Sequence, residues 1–77
     1  MWIRSQSKKA LLNVSSIHIL KDGGMSLMCC VVAGCDYELG VYSTEEKALK
    51  VLDEIQKRTE YLCAKSFQMP KDYEVEE

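Results

Sequence analysis

The side chains best equipped for chemistry in this chain are Trp2, Arg4, Tyr37, Tyr42 and Arg58. Aromatic faces stack on nucleobases, and guanidinium groups grip phosphate through paired N–H donors. Of these, Trp2, Arg4, Tyr42 and Arg58 form the candidate ligand-binding set. Arg4 stands near Trp2, and no acid lies near it in the sequence. The competing reading is structural: Trp2, Tyr37 and Tyr42 pack a core or an interface, and Arg58 pairs with Glu54 one helical turn away.

No arrangement of nucleophile and base accompanies this set. The single histidine, His18, lies between Ile17 and Ile19 in a probable strand pattern, and no serine sits in a G-x-S-x-G setting. Adjacent Glu45 and Glu46 fit the start of a helix better than a catalytic pair. Gly23-Gly24 lacks any phosphate-loop pattern and reads as a turn. The four cysteines, Cys29, Cys30, Cys35 and Cys63, contain no C-x-x-C pair. In a strand, Cys29 and Cys30 point to opposite faces and cannot readily hold one ion together. These patterns predict a non-enzymatic protein with buried structural thiols, no metal and no cofactor.

With 77 residues, the chain makes one domain, whose core rarely supplies more than about 3–5 kcal/mol without a staple or a partner. A second subunit is therefore expected, as a dimer or higher homo-oligomer. The net charge of −2 is unevenly spread: Arg4, Lys8, Lys9 and Lys21 precede the first acid, while Asp72, Glu74, Glu76 and Glu77 close the chain. Scattered bases of this kind form a solvated face and do not indicate duplex DNA binding. No signal peptide and no run long enough to span a bilayer is apparent, so a cytoplasmic protein with reduced thiols and no membrane contact is expected.

The organising stretch is Leu39 through Gln56, where a strand hands over to an amphipathic helix. The spacing predicts an α+β fold: an antiparallel four-stranded meander, with strands at about 1–6, 11–20, 25–33 and 37–42. One helix at about 44–63 packs on the sheet, 66–69 can add a short fifth strand, 1–70 forms the domain and 71–77 an acidic flexible tail. Leu12 and Val14 share one parity and Ile17 and Ile19 the other, which predicts a kink at Ser15-Ser16. Lys21-Asp22-Gly23-Gly24 and Gly34-Cys35-Asp36 are turns. The strand from Met25 to Ala33 is apolar on both parities, so it is central or covered by a second subunit. Tyr37, Leu39 and Val41 fall on one face of the next strand and Glu38 and Tyr42 on the other, with Gly40 marking a bulge or a close approach. Ser43 with Glu46 predicts a capping box.

Trp2-Ile3-Arg4-Ser5-Gln6, Leu39-Gly40-Val41-Tyr42-Ser43-Thr44-Glu45-Glu46-Lys47-Ala48 with Val51-Leu52-Asp53-Glu54-Ile55, and Phe67-Gln68-Met69-Pro70 together resemble a family of small, mostly uncharacterised proteins from Firmicutes and their phages. The resemblance implies a protein acting in the cytoplasm of a bacterial host. By size, element order and phage origin it is also analogous to nucleotide sponges such as the Thoeris anti-defence proteins, which sequester cyclic ADP-ribose signals between protomers. The analogy implies counter-defence: a cyclic nucleotide or ADP-ribose-derived ligand sequestered at an oligomer interface. The alternative is a protein-binding module that inhibits a host or defence protein through an open sheet edge or the acidic tail.

Overall fold

The computed structural model describes residues 2–60 and 66–75. In chain order these form β1 (Trp2–Arg4), β2 (Leu11–Asn13), β3 (Ser16–Asp22), β4 (Met25–Val32), β5 (Cys35–Tyr42), α1 (Glu45–Glu60) and β6 (Phe67–Gln68), followed by a 3-10 turn at Asp72–Glu74. The α+β class holds, but the single four-stranded meander does not. The predicted strand at 11–20 is cut at Val14-Ser15, near the expected kink, and its halves belong to two three-stranded sheets.

The first sheet has the order β2-β1-β6. β1 pairs antiparallel with β2, Ile3 opposite Leu12, and parallel with β6, Ile3 opposite Phe67. The short strand expected at 66–69 is therefore present as Phe67–Gln68, on the far side of β1 from β2. The second sheet, β3-β4-β5, is an antiparallel meander with β4 at its centre. Of the two expectations for this strand, the central position is the one observed.

Turn chemistry sets the register of this meander. Asp22 pairs with Met25 around Gly23-Gly24, at φ of 57° and 93°, and Val32 pairs with Cys35 around Ala33-Gly34, at φ of 50° and 83°. Both are two-residue hairpin loops of the kind that needs positive φ at each central residue. The second turn therefore falls at Ala33-Gly34, one residue earlier than expected, and leaves Cys35 and Asp36 in β5.

Between Met28 and Cys29 the β4–β5 register slips: Met28 faces Gly40, whereas Cys29 faces Glu38. Leu39 is the extra residue, and a bulge of this kind moves every later side chain to the other face. Leu39 and Tyr42 consequently both enter the core, while Val41 turns outward opposite Leu27. The expected division of β5, with Leu39 and Val41 together and Tyr42 on the other side, is corrected accordingly.

α1 lays Ala48, Val51 and Ile55 against Ile3, Met28, Cys30, Leu39, Tyr42, Phe67 and Met69, so a single helix seals both sheets. Each fully buried Val or Ile contributes about 1.5–3 kcal/mol. The helix cap differs from the expected box: the Lys47 backbone N–H donates to Thr44 Oγ1 at 3.2 Å, making Thr44 the cap. Ser43 is engaged elsewhere, as described below. The helix as described ends at Glu60, and the predicted residues 61–63 lie outside the described residues.

Ala33 holds a left-handed backbone conformation that costs a residue with a Cβ about 1–2 kcal/mol, and that asparagine adopts more readily. Ala33→Asn should raise stability by about 0.5–1 kcal/mol, read as a higher urea midpoint at unchanged slope. A lower midpoint would contradict the turn geometry.

Candidate functional site

The four sequence-predicted ligand residues do not converge. Trp2 and Arg4 alternate with Ile3 along β1, so they share the outer face of the first sheet while Ile3 enters the core. Across from them the register places Asn13 beside Trp2, and both Leu11 and Gln68 beside Arg4. Trp2 is 50% exposed and Leu11 49%. Arg4 forms no ion pair among the described residues. An indole, an aliphatic side chain and a guanidinium therefore lie together on an open, flat face.

Tyr42 is fully buried and its hydroxyl donates to the Pro70 carbonyl at 2.7 Å. Burial, reinforced by the Asp72 and Glu74 carboxylates, pushes its phenol far above the ordinary range. It is a neutral core group with no surface to offer a ligand. The bulge at Leu39 put it there, and Gly40 was the sequence signal. Arg58 places its guanidinium 5.8 Å from the centre of the Phe67 ring. Phe67 belongs to the core side of the first sheet, so Arg58 and the Trp2–Arg4 pair lie on opposite sides of it. The expected Glu54–Arg58 pairing is replaced by a Glu54–Lys57 contact at 3.8 Å.

Around Tyr42 the structure assembles Gln6, Gly40, Gln68 and Pro70. The Gln6 side-chain Nε2 donates to the carbonyls of Val41 (3.0 Å) and Pro70 (3.2 Å), and its Oε1 accepts from the Val41 N–H at 3.0 Å. The Gln6 backbone N–H donates to the Leu39 carbonyl at 2.7 Å. Gln68 Nε2 reaches the Ser5 and Met69 carbonyls at 3.0 and 2.9 Å. Gly40 permits this closeness: a Cβ there would lie 3.1 Å from Gln6 Cβ. These contacts bond the backbone to itself and present no free group to a substrate.

Asp72 extends the same clasp. Its Oδ1 accepts from the Ser43 N–H at 2.9 Å and the Ser43 hydroxyl at 3.2 Å, with Lys47 Nζ 3.7 Å away. The predicted loose tail therefore begins with an anchored segment, because a carboxylate beside the first turn of α1 suits the helix dipole.

The second sheet also has an open face. Opposite its helix-covered side run three cross-strand rows: Leu20-Leu27-Val41, His18-Cys29-Glu38 and Ser16-Val31-Asp36. Leu20 is 50% exposed, and Met25 beyond it 40%. Cys29 looks outward here and Cys30 inward, as expected of neighbours in a strand. Both thiols are raised above the usual range, chiefly by burial, with Glu38 and then Asp36 adding to the effect at Cys29 and Cys29 and then Asp36 at Cys30. Protonated thiols are poor nucleophiles.

Two grooves flank α1. One, of about 430 Å³, has walls from Ile3, Val14, Ile17, Leu52 and Ile55. The other, of about 340 Å³, mixes Lys50, Asp53 and Lys57 with Phe67 and Pro70. Neither contains Trp2, Arg4, Tyr42 or Arg58. Among the described residues no group of three histidines, cysteines or acids is placed to hold a metal, and no helix is long and apolar enough to cross a membrane. Compared with family models, curated proteins and solved structures, the chain finds no match in any of the three.

The hydrogen bonds from Ser43, led by that of its backbone N–H and joined by the Lys47 charge, outweigh the opposing effect of desolvation and hold Asp72 below the usual aspartate range. As pH falls, the unfolded chain takes up this proton first, so the stability Asp72 contributes is complete above the ordinary aspartate value. It is lost as pH falls through the depressed one. The urea midpoint of wild type should therefore exceed that of Asp72→Asn near pH 6, with the gap narrowing towards pH 2. A gap independent of pH would contradict this assignment.

Proposed function

We propose that this chain is a small non-catalytic binding protein of the counter-defence kind, working as a homo-oligomer in the cytoplasm of a bacterial host and sequestering a nucleotide-derived signal. The observation that carries the reading is the pairing of a half-exposed Trp2 with Arg4 on one open face. The indole stacks the base of a cyclic nucleotide or ADP-ribose derivative, and the guanidinium takes its phosphate. Tyr42 and Arg58 drop out of the ligand set, because one is sealed in the core and the other lies on Phe67. Leu11, exposed beside Arg4, joins the ligand face.

A second reading has its own support. The outer edge of β3, seven residues from Ser16 to Asp22, has no strand partner among the described residues. Such an edge can accept a strand from another protein.

Titration calorimetry against cyclic nucleotides and cyclic ADP-ribose isomers separates the two. Binding to wild type should weaken roughly 5- to 150-fold in Trp2→Ala, the loss of one stacking contact, and should also fall in Arg4→Ala. Absence of heat with every ligand would overturn the nucleotide reading. Retention of a lysate protein by the same ligand-silent chain would favour the edge reading.

A further inference from the structure

We infer that the outer face of the second sheet is a self-complementary surface that pairs two copies of this chain about a two-fold axis parallel to β4. This deepens the oligomeric part of the functional reading, but it rests on different residues from the ligand face.

Symmetry applied to the observed register sets the pairing. A two-fold axis running along β4 between two stacked sheets keeps each residue at its own height and exchanges left for right, so β3 of one copy covers β5 of the other. The row Leu20-Leu27-Val41 then meets its own reverse, and apolar side chains cover apolar side chains. The row His18-Cys29-Glu38 also meets its reverse, which sets His18 of each copy over Glu38 of its partner and Cys29 beside its own symmetry mate. In the third row, Ser16 comes over Asp36, a hydroxyl over a carboxylate. No row brings two carboxylates together. A parallel offset by one row would lay Leu20 or Val41 over the charged edge residues, so the register is selected as well as the face.

Exposure points the same way. Leu20 and Met25 are 50% and 40% exposed on this face, whereas the helix and the first sheet gather on the opposite side of β4. Eight residues at roughly 3.3 Å and three strands at roughly 4.8 Å give a contact of about 26 by 14 Å. That is about 360 Å² of footprint per copy, below the roughly 800 Å² per partner of a stable complex, so the dimer should be weak and form reversibly with concentration. Because this face is distinct from that of Trp2 and Arg4, the pair carries two outward ligand faces. The two proposals can therefore fail independently: mass reports one and binding heat the other.

The test is sedimentation of the chain from about 1 µM to 1 mM, over which the mass should rise towards that of a dimer. Leu20→Asp, at an exposed position that tolerates charge in the monomer, should abolish the mass shift. His18→Glu should weaken the dimer by placing like charges opposite each other, and His18→Glu combined with Glu38→Lys should restore it. A monomer throughout the range, a dimer indifferent to Leu20→Asp, or a double variant no better than His18→Glu alone would each overturn the proposal. The first of these is also the outcome expected if an unrelated protein covers this face.

Discussion

The side-chain amide of Gln6 stands in for a strand. One end accepts from the Val41 N–H and the other donates to the Val41 carbonyl, the two bonds a neighbouring strand would supply. It thereby closes the edge of the second sheet with a residue that continues the first. Its additional bond to Pro70, and that of Tyr42 to the same carbonyl, tie the C-terminal segment into the junction. A three-stranded sheet is stable only with its hydrophobic face packed, and here both sheets pack theirs into one core. Joined at Gln6 and sealed by one helix, they share a core.

Several other features exist to make that junction possible. Gly40 leaves room for the Gln6 stem. The bulge at Leu39 turns Leu39 and Tyr42 inward together. Asp72 holds Ser43 so that Thr44 can cap α1. Gln6, Tyr42 and Gln68 reach backbone carbonyls, Pro70 supplies one of them and Gly40 leaves the space. These residues close a small α+β domain, which explains why they point to no chemistry.

Local rules made much of this legible. Paired positive-φ residues mark the hairpins, spacing marks the helix, and the phase change between Val14 and Ile17 marks the break between sheets. Parity counting failed where it assumed an uninterrupted ladder: one extra residue at Leu39 exchanged the faces of Val41 and Tyr42, and a predicted ligand residue became core. The capping box failed because Ser43 had a partner 29 residues away, which no local pattern reveals. Trp2 and Arg4 fared better, since a two-residue spacing in a short strand leaves them on one face whichever sheet they join. The two open faces that result differ in chemistry: one is aromatic and cationic, the other apolar with His18 and Glu38 at its edges.

One amide joins the two sheets, and urea unfolding of Gln6→Ala measures its contribution directly. Losing the side chain strands the Val41 N–H and the Val41 carbonyl, at about 1–3 kcal/mol for each group left unsatisfied, while the Pro70 carbonyl keeps the Tyr42 hydroxyl. Partial access to water brings the expected total to about 2–4 kcal/mol, most of what a domain of this size possesses. The variant should therefore be largely unfolded in conditions where wild type is folded. A loss below about 0.5 kcal/mol, the usual cost of a surface substitution, would show that the sheets cohere without it.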